Sequence, residues 1–197
     1  MGRARQFDRD AAVEWAMNEI WRVGFDACSV KAISEKLGIT RSSFYNTFES
    51  REALFLEALE CYFKTSPDRM LDEFSEFSSP LKLLTQVFKE ICRIRASDPE
   101  HRGCMAINNI SELVGVNEPL GQVLENAVLF RIARLEQLLN RSISLGELPD
   151  NIDIHSLALA IQNLTMGLNT LSKIIKSEGE LWATATITLK ALGVYRD

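Results

Sequence analysis

The sequence predicts an all-α fold, on three observations. Apolar residues recur at i, i+3, i+4 and i+7 along almost the whole chain, capping residues and glycines bracket those runs, and no segment alternates as a strand does. The 197 residues are 46% hydrophobic and 25% charged, an ordinary globular balance that excludes a disordered chain or a disulfide scaffold. No apolar run approaches the ~20 residues needed to cross a bilayer. The N-terminus, Met1-Gly2-Arg3-Ala4-Arg5-Gln6, leads into Asp8 and Asp10 without an apolar signal core. A cytoplasmic protein with no membrane partner is the expectation.

Each element follows from its own pattern. Val13, Ala16, Met17 and Ile20 form the stripe of a first helix that stops near Gly24. Ser29 caps a short second helix carrying Val30, Ile33 and Leu37, and Gly38 supplies a left-handed end. Thr40 caps a third helix with Phe44 and Phe48 turned inward. Ser50 precedes a fourth, which reaches the Phe63 region or beyond. Ser79-Pro80 opens the next helix and Asp98-Pro99 closes it. Another follows Gly103, and Glu118-Pro119 begins one that ends at Gly146. Asp153 starts a long helix running from Ile154 to Ile175, Gly179 breaks the chain, and residues 181–192 form the last helix. The sum is about nine helices. Short elements give way to long ones near residue 50, which divides the chain into a domain over residues 1–50 and a second over 51–197.

Charge divides the same way. The overall net charge is −5, but residues 1–51 carry eight Lys/Arg against seven Asp/Glu, so the acid belongs to the later part. An electrostatic footprint for nucleic acid is local, and this distribution leaves room for one near the N-terminus.

The informative stretch is S-V-K-A-I-S-E-K-L-G-I-T-R-S-S-F-Y-N-T-F, residues 29–48. Two short helices joined by a tight turn containing Gly38 make a helix-turn-helix layout. Val30, Ile33, Leu37, Ile39 and Phe44 would form a small core holding the third helix outward, and a rod of that width fits the DNA major groove. Its outer face carries Arg41, Ser42, Ser43, Tyr45 and Asn46, hydrogen-bonding groups with no acid among them. Thr40 and the helix's first N–H groups favour a phosphate oxygen. Arg3 and Arg5 would form a basic arm.

Residues 15–63 resemble the DNA-binding module of the TetR family of bacterial transcriptional regulators. The likeness rests on G-F-D-A-C-S-V-K-A-I, then L-G-I-T-R-S-S-F-Y-N-T-F-E-S-R-E-A-L, with G-E-L-P-D-N-I-D before the penultimate helix. It implies a homodimer bound to a double-stranded operator and a C-terminal regulatory and dimerisation domain that takes an unknown small-molecule inducer. It also implies phosphate contacts by Tyr45 and Arg51 and base reading by Arg41, Ser43 and Asn46. Ser29, Lys31, Thr40 and Ser42 complete the DNA-binding set. Arg51 stands where many members have lysine, and Trp15 where a small residue is usual. Within the same fold, the alternative is a DNA-binding factor that acts through a protein partner without an inducer.

The second half offers fewer signals. Phe88, Cys92, Cys104, Asn108, Phe130 and Met166 are candidates for the inducer pocket. Asn108, Asn109, Arg131, Gln162 and Asn163 interrupt apolar helices and are expected at a surface or interface, with one or two lining a pocket. The last two helices have apolar or small residues on more than one face, among them Leu159, Met166, Gly167 and Ala183. A four-helix dimer contact is therefore expected, with Leu157, Ile161, Leu164, Leu168, Trp182 and Leu189 as its candidates. The four cysteines form no Cys-x-x-Cys pair. His101, Cys104 and Cys92 match no standard metal spacing, so no metal or cofactor is expected. No nucleophile, base and phosphate-cradling loop come together, which argues against an enzyme.

Overall fold

The computed structural model describes residues 8–76 and 78–197. Among these residues there are nine α-helices, one 3-10 helix and no strand. The described helices fall into two compact units, divided between Thr65 and Ser66. The division lies beyond the boundary expected near residue 50, because the fourth helix packs along the first.

In the first unit, α1 (Arg9–Val23), α2 (Val30–Leu37), α3 (Arg41–Phe48) and α4 (Arg51–Thr65) surround one core. Asp8 caps α1 by accepting the Ala11 N–H at 3.1 Å. Ser29 caps α2 on the Ala32 N–H at 3.2 Å, and Ser50 caps α4 on the Ala53 N–H at 2.9 Å. Each cap satisfies a backbone donor that a helix start leaves without a partner. Ala12, Ala16 and Ile20 of α1 meet Leu54, Phe55, Ala58 and Tyr62 of α4 in the buried interior. The Phe25 and Phe55 rings stand edge to face, with centroids 5.2 Å apart.

The second unit is built around α5 (Pro80–Ser97). It packs on the 3-10 helix (Pro67–Glu76), α7 (Glu118–Ser144), α8 (Ile154–Leu171) and α9 (Glu178–Ala191), while α6 (Met105–Leu113) lies against α7 and α8. Leu81, Leu84, Phe88 and Ile91 of α5 pack with Leu138 of α7, Ile161 of α8 and Ala185 of α9. One polar pair crosses this interior. Buried Arg95 donates from Nε to Asn169 Oδ1 at 2.6 Å, and Asn169 in turn donates to the Thr165 carbonyl at 2.8 Å. The chain end is tied down by the Arg196 N–H, which donates to Thr85 Oγ1 at 3.0 Å.

Three expectations change here. The 3-10 helix was not anticipated. Gly179 does not break the chain but lies in the first turn of α9, because Ser177 accepts the Glu180 N–H at 3.3 Å and starts that helix earlier. The third concerns the dimer candidates: Leu157, Ile161, Leu168 and Leu189 face their own core, and Leu164 and Trp182 pack half-buried against it. Apolar residues at helical spacing mark the side on which a helix meets its own domain, so this stripe is occupied before a partner arrives.

Burial raises the thiols of Cys28 and Cys92 to about 11 and about 12, helped by the charges of Glu19 and Glu178 respectively. Both stay protonated at pH 8 in the folded protein. The stability linked to them is complete below the unfolded thiol range and is lost as the pH climbs toward those folded values. Iodoacetamide at pH 8, followed by mass spectrometry, is expected to leave Cys28 and Cys92 unmodified in the native chain and to alkylate both in urea. Modification of either in the folded protein would contradict their burial.

Candidate nucleic-acid interface

The turn between α2 and α3 is set by Gly38, whose φ of 65° and ψ of 32° place it in the left-handed region. Its N–H and that of Ile39 return to the last carbonyls of α2, the Ile39 bond to Ser34 measuring 3.0 Å. Thr40 then accepts the Ser43 N–H at 3.0 Å and starts α3. This leaves the Arg41 and Ser42 amides at the helix end without intrahelical acceptors. They carry the partial positive charge of the helix N-terminus.

Two side chains orient α3. Phe44 and Phe48 are 0% and 1% exposed, one turn apart on the same face. Their burial rotates Arg41, Ser42, Ser43, Tyr45 and Asn46 outward, and all five are exposed, Tyr45 by 51%. The outward set expected from sequence is thus brought together on one helix face. α3 contains no acidic residue; Glu49 follows at its C-terminal end.

The flanking candidates are differently placed. Lys31 is exposed and lies 3.9 Å from Glu35. Arg51 is only 26% exposed: its guanidinium lies 3.9 Å over the Phe25 ring centroid and 3.7 Å from the Asp26 carboxylate. Its charge is therefore largely held within the protein. Arg9, which the sequence reading did not single out, lies over the Phe48 ring at 5.4 Å and pairs with Glu57 at 2.6 Å. Only structure shows which rings these cations cover. Arg3 and Arg5 lie outside the described residues.

The six pocket candidates of the second unit do not come together. Phe88 lines a cavity of about 10 Å³ beneath the 3-10 helix. Met166 lines a separate open trough of about 310 Å³ between α6, α7 and α8, with Val114, Leu124 and Leu129. Phe130 is 59% exposed, and Cys92 belongs to the core. Cys104 begins α6, and Asn108 donates to the Arg102 carbonyl at 2.7 Å. In the loop before them, burial alone would raise the Asp98 carboxyl, but hydrogen bonds from the Arg102 side chain and backbone hold it below the usual carboxylate range. Of the polar interruptions, Asn109 is buried, against the expectation of a surface position, while buried Gln162 and half-buried Arg131 line the cavity under the 3-10 helix, the pocket position expected of one or two of them.

A capped, outward-facing helix held by a small helical core, followed by a separate helical unit, defines a helix-turn-helix regulator of transcription. Residues 13–58 match the family model described as bacterial regulatory proteins, tetR family, and residues 80–187 match the tetracyclin repressor-like C-terminal domain. The chain belongs to the TetR family and is a DNA-binding transcriptional regulator rather than an enzyme. It is 28% identical over 192 residues to the HTH-type transcriptional repressor ComR of Escherichia coli K12, covering 96% of this chain and 90% of that one. It is also similar to a cysteine mutant of the TetR family regulator CifR, solved with a 26-base-pair operator: 27% identity, TM-score 0.85, covering 96% of this chain and 99% of that one. A TetR regulator from Chloroflexus aurantiacus, 21% identical with a TM-score of 0.78 and 92% of each chain covered, shares the fold.

The left-handed turn yields a stability prediction. No atom lies within 4 Å of a Cβ built on Gly38, so Gly38→Ala meets no clash and incurs only backbone strain. The expected loss is about 1–2 kcal/mol, read from the shift of the urea midpoint. No loss would contradict the left-handed geometry.

Proposed function

We propose that this chain is a repressor that sits as a homodimer on a near-palindromic operator and is released by a small-molecule inducer bound in its C-terminal unit. The observation that carries the DNA-binding part is the face of α3, where five exposed hydrogen-bonding residues flank two buried phenylalanines. In this reading Arg41, Ser43 and Asn46 read base edges. Tyr45 and the α3 N-terminus, with Thr40 and Ser42, take phosphate oxygens, and Ser29 and Lys31 approach the backbone. Arg51 contributes mainly by bracing, because Asp26 and Phe25 already occupy its guanidinium. Two such helices enter successive major grooves about one helical turn (~34–36 Å) apart. The repressor named among its relatives, and the operator complex of a similar regulator, support this reading.

The dimer contact is assigned to the faces that α8 and α9 leave outside. On α8 these are Leu159, Met166, Gly167 and Thr170, and on α9 Ala183, Thr184 and Ile187; Leu159 is 43% and Ile187 70% exposed. Small residues on both stripes let a second pair of helices approach closely. The C-terminal family match supports a small-molecule inducer. The rival reading, a protein partner in place of an inducer, draws support from the small cavity, whose volume of about 10 Å³ holds no more than about one water. As a DNA-binding regulator the chain is assigned to the cytoplasm; no described helix is long and apolar enough to cross a membrane.

Fluorescence anisotropy against operators selected from a random pool tests the DNA interface. Tyr45→Ala is expected to weaken binding to all sequences alike, by about 1 kcal/mol per subunit. Asn46→Ala should instead relax preference at one or two base pairs, by about 1–3 kcal/mol. Unchanged affinity in both would overturn the assignment of α3. Ile187→Glu is expected to convert the dimer to monomers in sedimentation, and a persistent dimer would remove α9 from the contact.

A further inference from the structure

Among the described residues of the second unit, His101, Gln162 and Thr186 each bury a polar side-chain atom that finds no partner, and of these Gln162 lines a cavity. Gln162 of α8 is only 7% exposed, yet its Oε1 finds no hydrogen-bond partner. A buried amide without a partner lowers stability. The other buried amides of this unit are satisfied: Asn109 donates to the Met105 carbonyl at 2.8 Å, and Asn169 joins Arg95 and Thr165. Gln162 lines the cavity beneath the 3-10 helix, together with apolar Leu71, Val87, Phe88 and Leu135. Thr165 is also on the wall. Its hydroxyl donates to the Ile161 carbonyl at 3.1 Å, so it can offer only lone pairs inward.

The charged end of the cavity is already balanced. Arg131 lies 3.3 Å from the Asp68 carboxylate and 3.5 Å from that of Asp72, and donates to the Asp68 carbonyl at 2.9 Å. Arg134 lies 3.6 Å from Asp72 as well, so two arginines already match two aspartates, and an entering anion would add unmatched negative charge in a poorly solvated site. An unpartnered acceptor at Gln162 Oε1, apolar walls and a neutralised cation define the complement.

We infer that the inducer is an uncharged, largely apolar molecule bearing a hydroxyl, which donates its hydrogen bond to Gln162 Oε1. This rests on the inducer reading above and deepens it. With room for about one water, the cavity admits such a molecule only when the 3-10 helix lifts. Arg131 and Arg134 hold that segment down, Arg134 through the Asp72 carbonyl at 2.6 Å. A 3-10 run from Pro67 to Glu76 is long for that helix type, whose hydrogen bonds are poorer than those of an α-helix. The 310 Å³ trough is the weaker candidate: its one charged wall residue, Glu125, already accepts from Gln122 at 3.4 Å, and it contains no buried, unpartnered group.

Equilibrium dialysis of the full-length protein against phenol, toluene and benzoate separates the possibilities. Phenol is expected to bind about tenfold more tightly than toluene, with benzoate weakest. Gln162→Leu should erase the preference for phenol while keeping the toluene affinity, and should raise the melting temperature, since it removes a buried amide without a partner. Gln162→Met repeats the test if the leucine variant fails to fold. Arg134→Ala lies outside the cavity and is expected to tighten phenol binding roughly threefold, the worth of one half-exposed ion pair. The inference is overturned by benzoate binding at least as well as phenol, by a preference that survives loss of Gln162, by no binding of any probe, or by a lower melting temperature in both variants. An unchanged affinity in Arg134→Ala overturns the lifting segment. Phenol that binds through Gln162 but leaves the operator complex intact supports this site and overturns induction.

Discussion

The exposed face of α3 depends on one constraint, the burial of Phe44 and Phe48 one turn apart on an eight-residue helix. A helix of that length has almost no stability of its own in water. Its backbone persists because two aromatic rings are buried in the core of the first unit, and because Thr40 and Gly38 settle its first turn. Since side chains on a helix advance about 100° per residue, fixing positions 44 and 48 inward leaves no freedom for 41, 42, 45 and 46. Their outward aim is a by-product of core packing. A base-reading surface needs that rigidity, because hydrogen bonds to base edges discriminate only when donors and acceptors are placed beforehand.

The cations near this surface follow the same logic. A basic residue beside a recognition helix would ordinarily be assigned to phosphate. Arg9 and Arg51 instead lie over Phe48 and Phe25, each with a carboxylate close by. They close the aromatic core at its edges, so losing either would disturb packing as well as charge. The freely presented positive charge on α3 is then Arg41 together with the helix N-terminus, a modest electrostatic footprint that fits a chain carrying net negative charge overall.

Local features were legible in the sequence wherever a single residue type has one physical use. Ser29, Thr40, Ser50, Ser79 and Asp153 precede helices because their oxygens satisfy helix-start amides, and Gly38 ends one because only glycine enters the left-handed region cheaply. Features that depend on what packs against a residue were not legible. The stripe of Leu157, Ile161 and Leu168 reads equally well as a dimer face or a core face, and the core of its own unit takes it. The 3-10 helix has no sequence period of its own, and its hold on α7 is a charge match between Asp68, Asp72, Arg131 and Arg134 across more than fifty residues. Gln162 follows buried Ile161 on α8, and a polar residue in that place is ordinarily assigned to solvent.

Two buried polar sites in the second unit show what that last distinction means physically. Arg95 carries a full charge inside the core, yet it is hydrogen-bonded to Asn169, which is bonded in turn to the backbone. Such a network adds to stability only as a whole, and it restricts how α5 meets α8. Gln162 comes from the same helix, two turns away, and Oε1 has no comparable partner. A fold that satisfies a buried guanidinium has the means to satisfy an amide. The amide that stays unsatisfied lines a cavity roofed by the least regular helix of the unit, where a donor arriving from outside would repair the deficit. Binding at that place would cost less polar desolvation than at any satisfied site, because the protein already bears the cost in its empty state.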